Sequence, residues 1–149
     1  MNKLSCMAMA LGLLMGSPAL ALDHETIIDH PLGPIAADYD GEIKIETKQI
    51  GPVRIPGRGT PQRCNYSASV VVDRTALLGS AFQARRSMIS DDVITGSVPG
   101  RCSAREGHIS KLVYARREDL QAALMALVGQ DRDVLLAEAE SARMQSQDG

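Results

Sequence analysis

The chain has 149 residues, 44% of them hydrophobic, and a net charge of −2, which suits one domain better than two. It holds no Trp, one Phe and three Tyr. That argues against a base-stacking nucleic-acid surface and leaves the core to Val, Ile, Leu, Met and Ala. The small net charge hides segregation. Residues 22–40 carry five acids and no Lys or Arg, residues 41–117 thirteen bases against six acids, and residues 118–149 two bases against seven acids.

Met1-Asn2-Lys3 is a short basic start, residues 4–16 are an apolar run, and Ser17-Pro18-Ala19-Leu20-Ala21 ends in Ala-x-Ala. This is the pattern of a secretory signal peptide, with cleavage expected after Ala21. The run is too short for a membrane-spanning helix, so the mature chain is not expected to be transmembrane. An exported chain that keeps two of its three cysteines predicts a Cys64–Cys102 disulfide. Neither thiol belongs to a Cys-x-x-Cys or has a nearby His, so a structural bridge is preferred to a redox or metal pair.

Residues 22–38 are acidic and punctuated by Pro31, Gly33 and Pro34, and are read as a flexible lead-in. Residues 39–50 alternate, with Ile43 and Ile45 on one face and Glu42, Lys44, Glu46 and Lys48 on the other, and predict a strand. Val53-Arg54-Ile55 reads as a short edge strand between prolines, and residues 56–63 as a Pro/Gly loop. Residues 64–73 predict the firmest strand, with Cys64, Tyr66, Ala68, Val70 and Val72 on one face. Residues 75–90 carry both a broken helical stripe and an alternating stretch, and a strand is preferred for 82–89. Asp91-Asp92 reads as a turn.

Ser103-x-x-Glu106 has the spacing of a capping box. Apolar residues at helical spacing make 118–128 the clearest helix, ending near Gly129, and Asp131 or Asp133 is expected to cap a second helix through Ala142. The predicted protein is α+β: a small antiparallel sheet stapled by one disulfide, with a C-terminal amphipathic helix pair. It divides into a signal (1–21), a lead-in (22–38), one domain (39–143) and a fraying tail (144–149).

Three chemical ideas arise. Cleavage after Ala21 would expose Leu22-Asp23-His24, whose amine, two backbone amides and imidazole can wrap Cu(II) or Ni(II) in a square plane. Cleavage after Ala19 would abolish that site. Arg54, Arg58, Arg63, Arg85 and Arg86 would form an anion-binding surface if they share a face. The competing reading is that the acidic ends fold back on the basic middle and neutralise it. Catalysis is not expected: no nucleophile elbow, phosphate cradle or spaced ligand cluster is present, and His108 sits in a polar stretch. The leading expectation is an exported, periplasmic or secreted, non-enzymatic binding protein that contacts an anionic envelope component or a protein through the arginine loop. The alternatives are an inhibitor of a secreted enzyme and a metal-handling protein, with a small hydrolase last.

Overall fold

The computed structural model describes residues 22–51, 61–80 and 82–148. Four strands form one antiparallel sheet in sequence order: β1 (Leu22–Ile28), β2 (Ile35–Ile50), β3 (Arg63–Leu78) and β4 (Phe82–Pro99). A 3-10 turn at Cys102–Ala104 leads into α1 (Glu106–Tyr114) and α2 (Arg117–Gln147). The α+β class, the antiparallel sheet and the Cys64–Cys102 bridge are as expected. The sheet is larger than expected, because β2 and β3 run for 16 residues each and β4 for 18. The expected signal segment, the strand 53–55 and most of the Pro/Gly loop lie outside the described residues.

The first hairpin overturns the flexible lead-in. Leu22, Ile28, Ile35, Ala37 and Tyr39 alternate inward and are buried, while Asp23, Glu25, Asp38 and Asp40 point outward. The prolines and glycine that suggested disorder make the hairpin turn. Gly33 N donates to His30 O at 2.9 Å, with Pro31 at the second turn position and Gly33, at φ +122°, at the fourth. β1 is short. It pairs β2 from Gly41 back to Ile35, and among the described residues no strand lies beside β2 beyond that point.

In β3 the expected alternation holds and extends five residues further, burying Cys64, Ala68, Val70, Val72, Arg74, Ala76 and Leu78. Residues 82–89 are extended, as preferred. Asp91-Asp92 is not a turn but part of a bulge in a continuous β4. The register passes from Ala68↔Ile94 to Val70↔Ser90, Asp92 takes φ +50°, and its N–H donates to Ser69 Oγ at 3.2 Å. Asp is one of the few residue types that tolerate this conformation.

Both helices cover one face of the sheet. α1 buries Ile109 and Val113, and α2 buries Leu120, Leu124, Val128, Asp131, Leu135 and Ala139. The capping box does not form: α1 starts at Glu106 behind Arg105, with no side-chain cap. Nor does α2 stop at Gly129. A glycine inside a helix costs only about 1 kcal/mol, and the buried stripe continues on both sides of it, so one 31-residue helix forms. It runs about 46 Å and takes in the tail that was expected to fray after Arg143. Among the described residues no helix lies on the opposite face of the sheet.

Candidate functional site

Strict alternation on β3 puts a charged residue among the core positions. Register then lines up His24, Tyr39, Arg74 and Arg86 across all four strands, on the face beneath α2. Asp131 occupies a core position of the helix, three residues after Val128 and four before Leu135, and comes down on this row. Arg74 and Asp131 are each 1% exposed. Arg74 Nη1 lies 3.2 Å from Asp131 Oδ2, and Arg74 Nη2 donates to Glu138 Oε2 at 2.7 Å. Tyr39 donates its hydroxyl to Asp131 Oδ2 at 3.1 Å, and Arg86 approaches Asp131 Oδ1 at 3.6 Å. Two guanidiniums thus answer two carboxylates. At the turn after β1, His30 Nδ1 accepts from Leu32 N, so Nε2 carries the proton and donates to Glu140 at 3.1 Å.

At its centre the cluster is buried beneath α2. Its chemistry is that of a clamp, which fixes the helix in rotation and register over the sheet. Burial first, then the Asp131 charge and hydrogen bond, push the Tyr39 hydroxyl up from 10.0 to about 12. A raised acid keeps its stabilising, neutral form below the unfolded value and loses it as pH climbs through the folded value. The Tyr39 contribution should therefore be intact below pH 10 and disappear between pH 10 and about 12. Alkaline titration followed by far-UV circular dichroism should show this loss, and Tyr39→Phe should flatten it.

The uncovered face reads in rows. Near the first turns lies an apolar row, Ile27, Ala36 and Leu77, with Gln83 beyond. Next come Glu25, Asp38, Thr75 and Arg85, then Asp23, Asp40, Asp73 and Ser87. Glu42, Val71 and Ile89 follow. Towards the disulfide the face turns to hydroxyls, amides and bases, with Lys44 beside Ser69, then Glu46, Ser67 and Thr95, then Lys48, Asn65 and Ser97. A concave region of about 620 Å³ opens on this polar half.

Arg63 closes the end of the groove, with its Nε donating to Ser97 Oγ at 3.0 Å. Behind it, Gln49 ties three segments together. Its amide donates to Arg63 O at 3.0 Å, and its Oε1 accepts from Cys102 N at 2.9 Å, beside the Cys64–Cys102 bridge. Arg101 and Arg105 are exposed at the same end, where Arg105 Nε donates to Pro99 O at 2.9 Å.

The expected arginine patch is not one surface. Arg85 and Arg86 are neighbours on a strand and point to opposite faces, Arg85 to the open face and Arg86 to Asp131. Arg63 lies twelve residues along β3 from Thr75, the partner of Arg85, which is about 40 Å at strand rise. Arg54 and Arg58 lie outside the described residues. Leu22, Asp23 and His24 form the start of β1. Leu22 is buried, and the His24 ring lies 6.3 Å from the Tyr39 ring, tilted 40° to it. In an antiparallel ladder, successive N–H groups point alternately to the partner and away. One of the Asp23 and His24 amides is thus committed to β2, so wrapping Cu(II) or Ni(II) would unzip the start of the strand. Among the described residues no cluster of three or more His, Cys, Asp or Glu side chains is placed to hold a metal ion.

The buried row was missed because Asp131 is read as a helix cap and Arg74 enters only as one of the thirteen bases of the middle segment. Their positions in two otherwise apolar periodicities were the signal. The acidic ends also behave differently from each other. The C-terminal one docks through Asp131, Glu138 and Glu140, whereas Asp23, Glu25, Asp38 and Asp40 make no ion pair among the described residues. No helix among the described residues is long and apolar enough to cross a membrane. No protein-family model, curated protein or solved structure matches this chain.

Proposed function

We propose that this is an exported, non-enzymatic binding protein that contacts an anionic component of the cell envelope through the disulfide end of its open sheet face. The observation that carries the reading is the groove of hydroxyl and amide side chains at Asn65, Ser67, Thr95 and Ser97, bordered by Lys48 and Arg63. Such groups recognise phosphate or carboxylate oxygens by charge-assisted and neutral hydrogen bonds together. Glu46, also in the lining, would select against densely charged ligands at that point. The bridge at the same end supports an oxidising compartment. It also keeps the groove preorganised, so less entropy is lost on binding.

Binding to phosphatidylglycerol vesicles and to polygalacturonate should weaken steeply as salt rises. It should also fall about tenfold in Lys48→Ala/Arg63→Ala, the scale of losing two charge-assisted contacts. Vesicles alone responding would point to a phosphate headgroup, and the polymer alone to a carboxylate glycan. Affinity indifferent to salt and to both substitutions would overturn the assignment.

A further inference from the structure

The other half of the open face has a different chemistry. Ile27 is 72% and Leu77 45% exposed, and Ile89, on the far side of the acidic rows, is 50% exposed. Between them lie Glu25, Asp38, Asp23, Asp40 and Asp73, with Arg85 on the outer strand at the rim. Asp23, Asp40 and Asp73 are direct cross-strand neighbours. Like charges placed opposite each other destabilise a sheet, and among the described residues none of the five is in an ion pair. A recess of about 520 Å³ lies here, lined by Ile27, Ala36, Leu77 and Thr75 with Glu25 and Asp38 at its sides. Apolar surface bracketing uncompensated carboxylates is complementary to a ligand that is itself apolar, basic and apolar in turn.

We infer that this half of the sheet face is a docking surface for a basic amphipathic helix of a partner protein. The ligand lies on a face, where no backbone pairing is on offer, so its own backbone must be satisfied internally, and a helix does that. From the Leu77 row to the Val71–Ile89 row is six residues of β3, about 20 Å. A helix covers a comparable length in about 12 residues. One helix face presenting an apolar residue, Lys or Arg one and two turns later, and a second apolar residue at i+11 matches the four rows in order. The surface is separate from the groove at the disulfide end and stands whether or not that groove binds anions.

The probe is a fluorescent, alanine-based helical peptide of about 15 residues with leucines at the ends and lysines at i+4 and i+7. Its control has glutamates for lysines. Anisotropy with the disulfide-bonded protein should show saturable binding of the lysine peptide and none of the control. Asp40→Asn/Asp73→Asn should weaken binding about tenfold while raising the melting temperature by a few degrees, because the row's repulsion is relieved. That opposite sign excludes misfolding as the cause. Ile27→Ser/Leu77→Ser should weaken binding to a similar extent, and amide exchange should be slowed at β1 and the start of β2. Equal binding of the glutamate peptide, indifference to both variant pairs, or protection located on α2 would each overturn the inference.

Discussion

Asp131→Ala should be among the most damaging single substitutions in this protein, lowering stability by about 3–5 kcal/mol. The reason is what it leaves behind. Arg74 has 0% of its side chain exposed and cannot reach water, and the remaining carboxylate, Glu138, is itself 37% exposed. A buried guanidinium deprived of its fully buried counter-charge keeps its desolvation cost with only part of the compensating attraction. The loss is a large share of the ~5–15 kcal/mol that small domains have. The paired replacement Arg74→Met/Asp131→Leu should recover most of it, since well-packed apolar side chains often match a buried ion pair. Urea denaturation of the native chain and the two variants checks this. A cost below about 1 kcal/mol for Asp131→Ala would mean that water reaches the row and that the clamp is an ordinary exposed pair.

Removing the bridge should have an effect of the same order. Cys64 and Cys102 are 38 positions apart, and closing such a loop restricts the unfolded chain by roughly 4 kcal/mol in the chain-entropy model. Cys64 is fully buried at the start of the β3–β4 pairing, and Cys102 is held by Gln49. The folded state therefore changes little and the loss falls on the unfolded one. Cys64→Ala/Cys102→Ala, and the native chain in reductant, should show denaturation midpoints lowered by similar amounts. If reduction leaves the midpoint in place, the hairpin and Gln49 already supply the constraint.

These two features were unequally legible. The bridge followed from cysteine arithmetic. β3 followed from alternation, since Val70 and Val72 can be read as inward without knowing what covers them. The first hairpin was hidden because Pro31 and Gly33 mark a turn and a disordered segment alike. The choice between them depends on whether Leu22, Ile28 and Ile35 find a core, which is a long-range matter. The unbroken α2 was hidden for a related reason: Gly129 weakens a helix locally, but a buried stripe from Leu120 to Ala139 outweighs it. The arginine site was only partly visible. Composition lists Arg63, Arg85 and Arg86 together, whereas strand geometry sends Arg85 and Arg86 to opposite faces and Arg63 to the far end.

The shortness of β1 also bears on how the protein avoids itself. From Glu42 to Ile50, β2 has no neighbouring strand on one side among the described residues, so its free N–H and C=O groups form a template on which another chain could polymerise. Along that stretch Glu42, Lys44, Glu46 and Lys48 occupy every second position. Charged residues, lysine above all, are the usual guard on a sheet edge, because a strand arriving in the wrong register meets like charge and must strip water from it. The alternation that first marked this segment as a strand thus also protects it from fibrillar growth.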